Sequence, residues 1–281
     1  MPAFRATDGL PFWLDLLPAD AEASAGFFKR VLGWDVGAPG EGGLRAARRG
    51  GLPVAGLREA EPGRTPSWVV YFHHPDLDGA AAAVERLGGR LLSPILPAGT
   101  PSGGDLLLAA DPQGGVFGLM APGGEDFVAA GEPGTPVWHE LPVAGELEAT
   151  ARFYGELLGW DVSVDDPGGG AAPAFAVAAA EGAPFAGFFP APAGLPEGPG
   201  WAAYIGVSDA SAAADAARAA GGRVLDGPVE SPLGRLAKLA DPTGAVLSVA
   251  EVPEPEFPGE EPEEAEDVLG AADRAAARGR G

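Results

Sequence analysis

Alternating apolar and polar positions mark short strands, and each of four such strands is followed by a run with helical period. Residues 13–17 alternate as a half-buried strand does. Asp20 then stands where an N-cap belongs, and Phe27, Phe28, Val31 and Leu32 share one face of a helix ending at Leu32. Gly33 follows as a C-cap glycine. Strand-like pieces come at 44–48 and 54–57. The plan then restarts: strand 68–73, an alanine-rich helix 77–87 closed by Gly88-Gly89, and strands at 91–92, 105–110 and 116–120. It returns twice more. Strand 138–143, helix 147–158 and strands 174–178 and 185–189 form the third unit. Strand 201–207, helix 210–220 and strands near 224, at 236–240 and at 246–251 form the fourth. Each quarter reads βαβββ.

The quarters group into two copies. Trp13-Leu14-Asp15-Leu16 and Leu32-Gly33-Trp34-Asp35-Val36 return as Trp138-His139-Glu140-Leu141 and Leu158-Gly159-Trp160-Asp161-Val162. Asp111-Pro112-Gln113-Gly114 returns as Asp241-Pro242-Thr243-Gly244. Two copies in one order indicate a duplicated unit, whose equivalent positions can be compared. The expected division is a first domain over 1–123, a Gly-, Pro- and acid-rich linker over 124–135, a second domain over 136–252 and a tail over 253–281. The fold class expected is α+β: two tandem domains, each of paired βαβββ modules forming a curved mixed sheet with helices outside.

Composition narrows the function. The 281 residues carry a formal charge of −22, which opposes binding to nucleic-acid backbone and to anionic membranes. Eight of the fifteen residues in 253–267 are acidic, with prolines between them, so the tail is expected to be disordered and solubilising, with partner binding as its alternative. There is no cysteine, so disulfides, thiolate nucleophiles and cysteine-ligated metals are excluded. No apolar run approaches a membrane span and the start lacks a signal-peptide core, which reads as a soluble cytoplasmic protein. No phosphate loop and no Gly-x-Ser-x-Gly elbow occurs.

The words "FFKRVLGW" at 27–34, "FYGELLGW" at 153–160, "ADPQGGVFGL" and "ADPTGAVLSV" resemble the vicinal oxygen chelate superfamily, which includes glyoxalase I, bleomycin-resistance proteins and extradiol dioxygenases. The twin Trp-x-Asp/Glu-Leu openings are similar to tandem glyoxalase-like proteins of actinobacteria. The resemblance implies a divalent metal on the concave sheet face, held by ligands from the first strand of a module and from the last, typically His/Gln and Glu. Here the last-strand glutamate positions are Gly118 and Ser248, and the first-strand positions are Trp13, Val69 and Ala202. No cofactor is therefore expected, and a divalent metal would find an incomplete ligand set.

His139 is the one histidine near such a position. Counting back from the helix sets it opposite Trp13, on the ligand side; matching Trp-x-Asp-Leu to Trp-x-Glu-Leu sets it opposite Leu14, on the helix side. One residue of slip decides the face. The second register keeps Leu16 and Leu141 inward and is preferred. It puts Trp13, Asp15, Tyr71 and His73 on one cavity and Trp138, Glu140 and Tyr204 on the other, the aromatic wall with few polar groups that small-molecule pockets show. The same residues can instead fill the cups as core, the carboxylates paired with arginine.

A metal-independent protein that binds or sequesters a small molecule is the first expectation. The alternative is an enzyme, a lyase, isomerase or hydroxylase type, with Asp15, Glu140 or His73 as acid or base. The halves can pair within one chain or across a homodimer, and which modules build each cavity stays open.

Overall fold

The computed structural model describes residues 3–124, 127–165, 174–191, 200–231 and 234–253. From residue 254 onward the acidic tail lies outside the described residues.

The first half contains β1 (Ala3–Arg5), β2 (Pro11–Leu17), α1 (Ala21–Leu32), β3 (Asp35–Val36), β4 (Arg45–Arg49) and β5 (Leu52–Leu57). It continues with β6 (Ser67–His73), α2 (Leu77–Arg86), β7 (Arg90–Leu91), β8 (Leu96–Pro97), β9 (Asp105–Ala110), β10 (Val116–Ala121) and β11 (Phe127–Ala129). The second half contains β12 (Pro136–Val143), α3 (Leu147–Leu158), β13 (Asp161–Asp165), β14 (Phe175–Ala180) and β15 (Ala183–Pro190). It ends with β16 (Ala202–Val207), α4 (Ala210–Ala219), β17 (Arg223–Ser231), β18 (Gly234–Ala240) and β19 (Val246–Glu251). This is the α+β arrangement of four βαβββ modules.

Local chemistry sets the helices. Asp20 accepts from the backbone N–H groups of Glu22 (3.0 Å) and Ala23 (2.9 Å), and Asp209 caps α4 in the same way. Such a cap contributes about 1 kcal/mol. Gly33 and Gly159 close α1 and α3 with φ of 67° and 72°, where a side chain would be strained. Phe27, Phe28 and Leu32 bury the predicted face of α1, while Val31 is only half-buried.

The modules pair within the chain. The first sheet runs β3-β4-β5-β2-β6-β10-β9-β7, and the second runs β13-β14-β15-β12-β16-β19-β18-β17. β2 meets β6 antiparallel and β12 meets β16 antiparallel, so modules one and two share a sheet, as do three and four. Each joining strand has a bulge at the same place, between Pro11 and Trp13 and between Pro136 and Trp138.

The two sheets share one core. A single buried cluster takes Leu16, Phe72, Phe117, Leu141 and Phe188 from their helix-covered faces, Tyr154 from α3 and Trp201 from the residue before β16. α1 of the first half lies beside α4 of the second, and α2 beside α3. Reciprocal hydrogen bonds tie the halves: Trp34 Nε1 donates to the Gly134 carbonyl at 2.7 Å and Trp160 Nε1 to the Gly9 carbonyl at 2.8 Å.

The Asp-Pro-x-Gly turns close the same interface. Oδ1 of Asp111 accepts from the backbone of Gln113 and Gly115, and Oδ1 of Asp241 from Thr243 and Ala245. The other oxygen of each reaches across the duplication. Asp111 Oδ2 takes the Tyr154 hydroxyl at 3.1 Å, and Asp241 Oδ2 takes the Ser24 hydroxyl.

Two details depart from expectation. The linker is not wholly irregular, because its residues Phe127–Ala129 form β11 and pair with β1 as an antiparallel ribbon. The strand expected at 91–92 sits at Arg90–Leu91, and Leu92 is exposed.

Candidate functional site

Among the described residues each sheet has one helix-covered face and one helix-free face, and strand alternation assigns the side chains between them. On β2 and β6, Leu14, Leu16, Val70 and Phe72 enter the shared core, while Trp13, Val69 and Tyr71 join a separate cluster on the other face. His139, Leu141 and Val143 are buried in alternation on β12, leaving Trp138 and Glu140 on the helix-free face. His139 thus matches Leu14, as the preferred register requires.

Cross-strand register builds an equivalent row on each helix-free face. In the first sheet Trp13, Tyr71, Gly118 and Leu108 stand side by side. In the second sheet the same row is Trp138, Tyr204, Ser248 and Lys238. Ser248 and Lys238 belong to the site by this register, although sequence reading did not select them as binding residues. The available signal was the alternation of β18, where Ala237 and Leu239 are buried and Lys238 between them is exposed.

The first row is closed. Trp13 Nε1 donates to Asp15 Oδ1 at 2.7 Å, and the Tyr71 hydroxyl faces the same carboxylate. Trp13, Asp15, Tyr71 and His73 are all at most 8% exposed. Burial, the largest influence, pushes the Asp15 carboxyl above its usual range, against the hydrogen bond from Trp13 and the charge of Arg58. Burial and the neighbouring Asp15 push the Tyr71 phenol well up. Ala98 and Met120 are buried in this cluster, and Ala6, Leu108 and Val128 pack against it. Val128 belongs to the β1–β11 ribbon, which gives this sheet a cover. His73 stands at the strand end, edge-on to Phe12 with centroids 5.6 Å apart and with Nδ1 2.9 Å from an Asp8 oxygen.

The second row is more open and more polar. The Tyr204 hydroxyl donates to Glu140 Oε2 at 2.7 Å, and Ser248 also bonds to that tyrosine. Burial first, then Glu140, raises the Tyr204 phenol far above its usual value, so it remains a donor at neutral pH. Trp138, Glu140 and Tyr204 are half-buried and Lys238 is exposed. Trp138 Nε1 is shielded from solvent and has no acceptor among the described residues, whereas Trp13 Nε1 has Asp15. No Lys or Arg pairs with Glu140 among the described residues.

Glycines shape both rows. Gly56 and Gly187 lie beside Asp15 and Glu140 in register, and each passes under a tryptophan ring. A Cβ on Gly187 would stand 3.2 Å from Trp138 Cζ2, and one on Gly56 would overlap the Asp15 carboxylate. A Cβ on Gly118 would overlap the Tyr71 ring.

Two family models match, "Glyoxalase/Bleomycin resistance protein/Dioxygenase superfamily" over residues 139–249 and "Glyoxalase-like domain" over residues 12–120. CFP32 of Mycobacterium tuberculosis, whose name assigns it as a glyoxylase only provisionally, is 32% identical over 252 residues, covering 86% of this chain and 94% of that protein. The chain belongs to the glyoxalase/bleomycin resistance protein/dioxygenase superfamily.

The anthracycline biosynthesis protein DnrV of Streptomyces peucetius is 31% identical over 269 residues, covering 89% of this chain and 96% of its own length. Among solved structures, the Mn(II)-bound glyoxalase of Novosphingobium aromaticivorans superposes with a TM-score of 0.61 at 20% identity, over 91% of this chain and 85% of that one. The 2,3-dioxygenase LapB of Pseudomonas sp. KL28 gives 0.62 at 16% identity, over 92% and 97%. These likenesses establish the shared fold.

The donor set does not fit the superfamily's metal. Gly118 supplies no carboxylate and its space belongs to Tyr71, while Ser248 is committed to Tyr204. His139 faces the core instead of this row. No group of three His, Cys, Asp or Glu able to hold a metal ion occurs among the described residues. None of the described helices is long and apolar enough to cross a membrane.

Proposed function

We propose that the chain binds a planar, hydroxyl-bearing small molecule on the helix-free face of the second sheet, without a metal ion. The observation that carries this reading is the asymmetry between equivalent tryptophans. Trp13 Nε1 is satisfied by Asp15 in a closed cluster; Trp138 Nε1 is shielded and has no partner among the described residues, beside the half-open row of Glu140, Tyr204, Ser248 and Lys238. A shielded N–H without an acceptor costs about 1–3 kcal/mol, which a ligand oxygen would recover. The indole face offers stacking area, Glu140 accepts from a ligand hydroxyl, and Lys238 favours an acidic substituent.

An anthracycline aglycone suits the first assay, because DnrV is named for anthracycline biosynthesis and such a molecule is planar and hydroxylated. Calorimetric titration should give saturable binding in metal-free buffer, weakened at least tenfold by Trp138→Ala and by Lys238→Ala. Tyr71→Phe, on the closed first sheet, should leave the affinity unchanged. Equal affinity across all these variants, or no binding by the aglycone and a wider panel of planar phenols, would sink the proposal.

A second reading rests on the Glu140–Tyr204 pair. A carboxylate held at 2.7 Å from a phenol, with no cationic partner among the described residues, is placed to take a proton from a bound ligand. If the chain is an enzyme of lyase, isomerase or hydroxylase type, Glu140→Gln should abolish turnover while preserving binding. Unchanged turnover would remove Glu140 from the chemistry.

A further inference from the structure

A second cavity lies away from the row of Trp138 and touches the first row only at Trp13, at the junction of the halves beneath the β1–β11 ribbon. It has a volume of about 60 Å³ and is bounded by β2, β5, β11 and β12. Its wall includes Pro11 and Leu14 from β2 and their counterparts Pro136 and His139 from β12. The duplication thus sets a leucine and a histidine as equivalents around one space.

His139 is only 6% exposed, and Nε2 has no hydrogen-bond partner among the described residues. The imidazole donates to the Phe185 carbonyl through its other nitrogen, which fixes the tautomer and leaves Nε2 a bare acceptor. Burial holds the group down to about 4, so it is neutral at physiological pH. An unmade bond on a buried acceptor is costly, and Leu14 shows that an apolar side chain serves the equivalent position without that cost. Ordered water answers the need poorly. A buried water requires two to four polar partners, and besides Nε2 the described wall brings the Ser102 hydroxyl, already paired with Thr100 at 3.2 Å, among mainly apolar side chains.

The cavity opens outward. Pro53, Ser102, Phe127, Val128 and Ala129 are shared with an adjoining groove of about 330 Å³ that also passes Arg48 and Leu52. The inner space is smaller than the roughly 150 Å³ that accommodates a benzene ring, so it admits the end of a molecule and leaves its body to the groove.

We infer that this cavity is a second small-molecule site, taking a slender apolar molecule whose terminal hydroxyl donates to Nε2 of His139. Chain length is read by the groove, and the donor is read by the histidine. The site shares no residue with the row around Trp138, so it stands independently of the function proposed above.

The test uses the full chain labelled with ¹⁵N-histidine, with 1-hexanol as probe and its isomer 1-methoxypentane as a control that cannot donate. The Nε2 resonance of His139 is assigned by its absence in His139→Leu, a variant expected to fold because Leu14 fills the matching position. Hexanol should move that resonance saturably, the ether should not, and His139→Leu should bind hexanol about tenfold more weakly. No movement with hexanol, an equal response to the ether, or undiminished hexanol binding by His139→Leu overturns the assignment. A resonance already at the hydrogen-bonded position before any probe is added, as buried water would give, overturns it too.

Discussion

Tyr71 and Gly118 share one space: the ring of the first lies where any side chain on the second would have to stand. The resemblance to the superfamily implies a glutamate ligand at this strand position. Its replacement by glycine is therefore a packing commitment as well as the loss of a carboxylate. Gly118→Ala should destabilise the protein by about 1–3 kcal/mol through overpacking. Combined with Tyr71→Leu, the two effects should be strongly non-additive in urea unfolding. Additive losses would mean that the ring and the glycine are not in contact.

Tyr154 and Asp111 make the corresponding commitment between the halves. Their bond is buried, burial raises both groups, and the carboxylate also anchors its own turn. Tyr154→Phe should cost about 1.5–3 kcal/mol, the range for a hydrogen bond to a charged group. Ser24→Ala should behave alike on the opposite side of the interface. Unfolding midpoints that match wild type in both variants would show that these turns do not couple the halves.

His139 supplies a pH signature. Its folded value of about 4 lies below the 6.5 of an unperturbed histidine. Between those values the unfolded chain binds more protons than the folded one, so this group lowers stability progressively as pH falls from 6.5 towards 4. The full effect is roughly 3 kcal/mol. His139→Leu should flatten the stability–pH curve over this window relative to wild type. Parallel curves for the two proteins would place the imidazole in contact with water.

Asp15 has the opposite sign. Its folded value is raised, so its contribution to stability is fully present below 3.8 and is lost as pH rises through the folded value. Asp15→Asn keeps an oxygen for the Trp13 indole and removes the buried charge. It should equal or exceed wild type in melting temperature at pH 8, and it should leave ligand affinity unchanged. A large loss of affinity would return Asp15 to the list of binding residues.

The βαβββ plan was legible because strand alternation, Asp20 and Gly33 are local signals. The faces of Trp13, Asp15, Trp138 and Glu140 were legible for the same reason, once Leu16 and Leu141 were set inward. Other features depend on distant partners. The β1–β11 ribbon has two three-residue strands, too short to show a period, and it gives the first sheet a cover with no counterpart over the row of Trp138 among the described residues. Lys238 and Ser248 enter the second row only through register with Tyr204. The bond from Tyr154 to Asp111 crosses the duplication between non-equivalent residue types, tyrosine on one side and Ser24 on the other, so comparing the copies could not reveal it.

The most direct test of a metal-independent site is the metal content of the purified, untagged protein, followed by thermal melting as manganese and other divalent ions are added back. The account predicts no stoichiometric metal and an unchanged melting temperature with each ion. One bound metal per chain, raising the melting temperature in proportion to occupancy, would contradict it and direct attention to glyoxalase or dioxygenase chemistry.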